Sequence, residues 1–141
     1  MTINLELLRT LTQVPGIPSR EDQVRRVVAE HLAPLVDAIT VDRLGNLIGT
    51  LSGSGGPTIA IAAHIDEIGF FVRHIDENGF IRLQQVGGFD PRTLIAQRVL
   101  VHPESGDPIP GVIQPGTKPI HLQKAGEVKD LKLDDLFVDL G

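Results

Sequence analysis

The sequence predicts an α/β protein: two helices, then a few strands, then a β-rich part. Three observations support this. Apolar residues recur at helical spacing before residue 36, and residues 58–63 form an uncharged apolar run. After residue 68, short strand-like segments alternate with Gly and Pro turns. We therefore divide the chain into residues 1–68, the start of an α/β domain, and residues 69–141, a small antiparallel barrel or sandwich.

Composition limits the class of protein. With 41% hydrophobic and 22% charged residues, the chain has the composition of a folded globular protein. A net charge of −5 without a Lys/Arg cluster argues against nucleic acid as a partner. The start of the chain lacks a signal-peptide pattern, and no apolar run reaches the roughly 18 residues of a membrane span. We expect a cytoplasmic protein without a membrane partner.

Two helices are predicted at the start. Asn4 can cap a short helix that carries Leu5, Leu8 and Leu11 on one side and ends before Pro15. Residues 19–22 resemble a capping box, which predicts a second helix that starts with Ser19 as its cap and runs to about residue 35. The predicted buried stripe of this helix includes one histidine as a packed core residue: Val24, Val27, Val28, His31, Leu32 and Leu35.

Strands follow the helices. Residues 38–42 and 47–51 flank a turn at Gly45 and Asn46, and residues 58–63 lack a polar face, which indicates a strand covered on both sides. Beyond residue 67, Asn78 and Gly79 predict a type I′ hairpin turn between two strands. The predicted strands of this part are residues 68–75, 80–86, 96–102, 109–113 and 135–140.

His64 and Asp66 stand at the end of the apolar run, where α/β sheets bind ligands. A neutral imidazole can ligate a metal with one nitrogen while a carboxylate fixes the other, and residues two apart in an extended segment point to the same side. Because the chain has no Cys, any metal must be held by His, Asp or Glu. The alternative is that both residues are simply the polar end of a strand that reaches solvent.

Several blocks in register resemble a known family. Residues 62–91, which contain His64, Ile65, Asp66 and Glu67, are similar to the dinuclear-metal aminopeptidases that assemble into tetrahedral particles, the glutamyl aminopeptidase family. The resemblance spans essentially the whole chain. Its other blocks are residues 15–21, 42–46, 97–99, 109–113, 118–122 and 133–141.

The resemblance implies specific roles. His64 matches the His that ligates one of two metals, and Asp66 matches the Asp that orients this His; Glu67 receives no role. The complete site would hold two divalent ions, zinc, cobalt or manganese, and would act on peptides. Residues 69–141 would form an incomplete β-rich dimerisation domain of a homo-oligomer, with dimers building towards a dodecamer. The family's other ligands and its Glu general base have no counterpart here, so we expect these 141 residues to be inactive alone.

Alternatives remain open at this stage. A truncated relative that serves only as an assembly module would share these blocks, and so would a metallohydrolase with another substrate. Asp90 precedes Pro91 and is interpreted as a turn residue, with the rim of the active site as the alternative. His121 is interpreted as a solvated loop histidine, with contact to a neighbouring subunit or its active site as the alternative. His74 and His102 are expected to be structural, and Asp134, Asp135 and Asp139 a solvated edge.

Overall fold

The computed structural model describes residues 4–116 and 131–141, so His121 lies outside the described residues. The chain divides into two compact units, Met1–Ile68 and Gly69–Gly141. The first unit contains the helices α1 (Leu5–Gln13) and α2 (Asp22–Leu32), a 3-10 turn at Ala33–Leu35, and the strands β1 (Ala38–Val41) and β2 (Leu47–Thr50). No helix in the described ranges has the length and apolarity needed to cross a membrane.

Helix α1 begins where the sequence predicts. The side chain of Asn4 accepts a hydrogen bond from the Leu7 N–H at 3.0 Å, which satisfies one of the free donors at the helix start. The helix ends at Gln13, before Pro15, and the Val14 N–H still bonds to the Thr10 carbonyl. On its leucine face, Leu5 and Leu8 are exposed, Leu5 by 71%, and Leu11 is half-buried.

Helix α2 differs from the prediction at its start and on its face. The predicted Ser19 cap is wrong: Ser19 has a φ of 69°, and Glu21 is the cap residue, without a side-chain cap bond. Glu21 instead accepts the Ser19 N–H at 2.7 Å. Val24 is the buried residue of this helix, whereas His31 is exposed, so its assignment to the core is also wrong.

Strands β1 and β2 form an antiparallel hairpin in which Val41 pairs with Leu47. The turn is organised by Asp42, whose carboxylate accepts hydrogen bonds from the Leu44 N–H and from both the backbone and side-chain amides of Asn46. Gly45 supplies the positive φ of 87° that this turn requires. Hydrogen bonds from Asn46, mainly its side chain, lower the pKa of Asp42.

The predicted strand at residues 58–63, covered on both faces, is wrong for the described structure. These residues pair with no described strand, and the side chains are exposed, Ile59 by 83% and Ile61 by 97%. The apolar sequence favours a strand, but a strand needs neighbours that take up its backbone donors and acceptors. The described part of the chain does not supply them.

The second unit is an antiparallel sheet of five strands in the order β3-β4-β7-β6-β5. Its two edge strands do not pair with each other in the described ranges, so these strands form an open sheet and not a closed barrel. The sheet buries one cluster of aliphatic side chains. The strands are β3 (Gly69–Ile75), β4 (Ile81–Val86), β5 (Arg98–Val101), β6 (Ile109–Pro115) and β7 (Leu136–Asp139).

The hairpin between β3 and β4 exists, but its predicted type I′ turn is wrong. Only Gly79 has a positive φ, 85°, and Asn78 does not. The Gly79 N–H bonds to the Asp76 carbonyl, and the Asp76 N–H bonds to the Phe80 carbonyl, both at 2.9 Å. One more residue fits in this loop than in a type I′ turn, and a glycine at the last position provides the left-handed conformation.

Candidate metal-ligand site

His64 and Asp66 form a hydrogen-bonded pair. The Nδ1 atom of His64 lies 3.0 Å from Oδ1 of Asp66 and 3.2 Å from the Asp66 backbone oxygen. In the neutral ring, the N–H on Nδ1 donates to these oxygens, so that Nε2 carries the lone pair. The sequence prediction that the two side chains lie on the same side is confirmed by this contact.

The pair fits one ligand position of a metal centre. The His64 side chain is 85% exposed and that of Asp66 is 37% exposed, so the imidazole can be reached from outside its own unit. A carboxylate on the second ring nitrogen is the usual support of a metal-bound histidine. Within residues 4–116 and 131–141, no group of three His, Asp or Glu side chains is placed to hold an ion. Among the described residues, the geometry is that of a histidine with a carboxylate support, without a group of three ligand side chains.

Glu67 has a different environment from its two neighbours in the motif. Its N–H donates to the carbonyl of Gly16 at 2.8 Å, and its Oε1 accepts the Gly16 N–H at 3.2 Å. The chain immediately after Asp66 is thereby joined to the turn between α1 and α2. Sequence reasoning missed this contact, because the two residues are 51 positions apart and no periodicity connects them.

Gly16 is buried and packs against α2. A Cβ atom at this position would lie only 2.7 Å from Cγ1 of Val24, which is itself 4% exposed. The backbone oxygen of Ile65 lies on the same side of Gly16, 3.7 Å from the same point. A Cβ atom at position 16 would therefore clash with Val24, so that Gly16 or α2 would have to shift, whereas its distance to the Ile65 oxygen is an ordinary contact.

Of the remaining predicted site residues, Asp90 has a structural role in its own unit. Asp90 caps the 3-10 turn at Pro91–Leu94 by accepting the Arg92 N–H, and it also pairs with the Arg92 guanidinium, which lowers the pKa of Asp90 to about 2. This is the turn role that we expected. His74 lies on β3 and His102 follows β5, and both are exposed.

The acidic residues near the end of the chain make polar contacts at the surface. Asp134 is exposed and pairs with Arg73 at 3.1 Å. Asp135 accepts the backbone N–H of Lys132, and Asp139 accepts that of Gly141. The predicted solvated edge is therefore wrong in part: Asp134 is exposed, but Asp139 lies on β7, the central strand of the sheet, and Asp135 and Asp139 are half-buried.

The chain is similar in sequence and in structure to known aminopeptidases. A sequence profile of the M42 glutamyl aminopeptidase family matches residues 45–141. The chain is 35% identical over 142 residues to the lysyl aminopeptidase of Pyrococcus furiosus, covering 99% of this chain and 40% of that protein. Among solved structures, it is 42% identical to an aminopeptidase from the archaeon Desulfurococcus kamchatkensis, with a TM-score of 0.84 over 96% of this chain and 37% of the other.

A further similar structure is the TET1 peptidase of Pyrococcus horikoshii, described as able to assemble into a tetrahedron or a large octahedral shell. It is 36% identical, with a TM-score of 0.78, and the match covers 97% of this chain and 40% of that one. The chain thus spans about two fifths of the length of the relatives it matches. The mixed α/β fold with an antiparallel sheet is shared with these structures.

Proposed function

Because the chain belongs to the M42 glutamyl aminopeptidase family, we propose that it is the N-terminal portion of a metal-dependent aminopeptidase. The enzyme would remove N-terminal residues from peptides. The observation that carries the proposal is the His64–Asp66 pair, in which Nδ1 of the imidazole is engaged at 3.0 Å and Nε2 is the nitrogen with a lone pair for a ligand bond. Similarity to relatives named as aminopeptidases supports the reaction class.

In this proposal, His64 ligates one of two divalent ions, either zinc, cobalt or manganese. Asp66 holds the ring in the tautomer and direction that ligation needs, because its carboxylate accepts a hydrogen bond from the N–H on Nδ1. The chemistry supplied by bound ions of this kind is polarisation of the substrate carbonyl and a lowered pKa of a bound water. His64 and Asp66 therefore contribute to building the centre and do not themselves act as acid or base.

The two units have separate roles in the proposal. Residues 1–68 are the start of the catalytic domain, and residues 69–141 are part of a dimerisation domain. Residues on the surface of the β unit, such as Phe71 at 37% exposure and Leu100 at 60%, offer apolar contact area for a second copy. We propose a homo-oligomer in which dimers build towards a dodecamer. We also propose a cytoplasmic location, since a chain without Cys fits a reducing compartment.

The test uses the full-length enzyme. We expect His64→Ala to reduce kcat/KM for leucine-, glutamate- and lysine-anilides by about 100-fold or more, with a parallel loss of cobalt binding. His31→Ala is the matched control, since His31 is an exposed histidine of the same unit. Unchanged kcat/KM and cobalt binding in His64→Ala would rule out His64 as a metal ligand. Turnover of other substrate classes, but not of these anilides, would favour another metallohydrolase.

A further inference from the structure

The proposed ligand pair is followed by a carboxylate that the sequence leaves without a role. Both backbone polar groups of Gly16 bond to Glu67: the Gly16 N–H donates to Oε1 at 3.2 Å, and the Gly16 carbonyl accepts the Glu67 N–H at 2.8 Å. Two hydrogen bonds between the same two residues fix both their distance and their orientation. A single bond would leave the segment free to rotate about it.

We propose that Glu67 is a positioning residue, which sets the direction of the His64–Asp66 pair by holding the chain after Asp66 against Gly16. The inference rests on the proposed function, since it concerns the presentation of the His64 imidazole to a metal. It assigns to Glu67 a hydrogen-bonding role that needs an acceptor oxygen and does not need a negative charge.

Gly16 is a suitable fixed point. It is buried against Val24 of α2, and an added Cβ would come within 2.7 Å of that side chain. A buried N–H that loses its acceptor is left unsatisfied, so the bond to Oε1 is costly to break. The anchor therefore belongs to the packed part of the unit, while Glu67 belongs to the ligand segment.

The chain before His64 offers no comparable restraint. Residues 52–63 are exposed, including Ile59 and Ile61. Within the described residues, the hydrogen bonds that tie residues 57–68 to the rest of the unit are the two to Gly16. The orientation of the imidazole thus depends on the anchor one residue beyond Asp66. Displacement of a site by about 1 Å can cost on the order of 100-fold in rate.

The experiment compares Glu67→Ala with Glu67→Gln in the full-length enzyme. Glutamine keeps an oxygen that can accept the Gly16 N–H, whereas alanine does not. We expect Glu67→Ala to lower the affinity of the metal-free protein for cobalt, measured by calorimetry, by about 10- to 100-fold, and to lower kcat by a similar factor. Glu67→Gln should stay within about threefold of the wild type in both measurements.

Two further variants keep the test decisive. Glu30→Ala removes an exposed carboxylate of α2 and should leave both measurements unchanged. If Glu67→Ala fails to fold, Glu67→Asp takes its place, because its shorter carboxylate keeps the charge and loses the reach to Gly16. Glu67→Asp should then lose more cobalt affinity and kcat than Glu67→Gln. If Glu67→Gln loses more, the inference is overturned, and the charge of Glu67 would act as a ligand or a base.

The His64→Ala variant separates this inference from the proposed function. If His64→Ala loses cobalt binding and activity while Glu67→Ala retains both, the positioning role is wrong and the proposed function stands. If His64→Ala itself retains both, the proposed function fails, and the positioning role fails with it. If His64→Ala and Glu67→Ala lose cobalt binding and activity while Glu67→Gln retains them, both the proposed function and the positioning role are supported.

Discussion

Arg25 donates from Nη1 to the carbonyl oxygen of Gly45 at 3.1 Å, and this bond joins helix α2 to the turn between β1 and β2. The same guanidinium forms an ion pair with Asp22 in the first turn of the helix. The hairpin is therefore fixed to α2 at its turn by Arg25, in addition to the contact of Gly49 with Leu32. A Cβ atom at position 45 would collide with Nη1 of Arg25 unless the guanidinium moved.

Gly45→Ala should destabilise the protein by about 1–3 kcal/mol. Gly45 has a φ of 87°, which is unfavourable for alanine, and the new Cβ would lie 2.7 Å from Nη1 of Arg25. The guanidinium can move away, but only by giving up its bond to the carbonyl. Urea unfolding of the full-length enzyme measures the effect. Gly53→Ala is the control, because nothing lies within 4 Å of its Cβ position, and an equal loss there would contradict the explanation.

Ile113→Ala should cost about 2–5 kcal/mol of stability, because the side chain is fully buried (0% exposed) and its removal leaves a cavity in the sheet core. Ile109 lies on the same strand, β6, and is 41% exposed. Ile109→Ala should therefore have a much smaller effect. Denaturant unfolding, followed by a probe of the β unit, compares the two. Similar losses of stability for Ile113→Ala and Ile109→Ala would contradict the burial of Ile113 in the sheet core.

Asp90 should make stability depend on pH in the acid range. Its pKa is lowered to about 2, first by the side-chain hydrogen bonds from Arg92, against about 3.9 in an unfolded chain. The stabilisation from the contact between Asp90 and Arg92 is present above the pKa that Asp90 has in the unfolded chain. It is lost as the pH falls through the pKa of Asp90 in the folded protein. Between pH 4 and 2, approximately, the melting temperature should fall less steeply for Asp90→Asn than for wild type.

The Asp90 measurement uses the metal-free full-length protein, so that loss of metal at low pH does not contribute. Asp107→Asn, an exposed loop variant, serves as the control and should keep the slope of the wild type. Arg92→Ala should move the pKa of Asp90 back towards its ordinary value. An identical slope in Asp90→Asn and wild type would show that the Arg92 contact does not hold in solution.

The 141-residue chain alone should not hydrolyse peptides. Its described residues provide His64 with Asp66 and no group of three ligand side chains, whereas a catalytic metal usually needs three protein ligands and one open position. Turnover of leucine-, glutamate- and lysine-anilides with added cobalt or zinc measures this, with the full-length enzyme as the positive reference. Turnover by the isolated chain would mean that the site is built differently.

Local sequence signals predicted the elements that depend on local contacts. Asn4 caps α1 because a cap needs only the next few residues, and the contact of His64 with Asp66 follows from their spacing of two. The capping box at Ser19 failed because Glu21 reaches the Ser19 N–H and the helix starts later. The hairpin turn at Asn78 failed because the loop holds one more residue than the dipeptide signal assumes.

Non-local contacts could not be predicted from the sequence. The pairing of Glu67 with Gly16 joins positions 51 apart, and neither residue belongs to an apolar pattern that would indicate it. The burial of residues 58–63 was inferred from their hydrophobicity. Hydrophobicity indicates that a segment favours a buried strand, but it does not show which strands are available to pair with it. Both cases depend on the three-dimensional arrangement of distant parts of the chain.

The exposed isoleucines at positions 59 and 61 make this polypeptide prone to aggregation. Residues 58–63 carry no charge and no proline, and their exposed isoleucines can pack against the same segment of another chain at high concentration. Preparations of the 141 residues should consequently become turbid on concentration. Lysine in place of Ile61 should delay the onset, which light scattering would record.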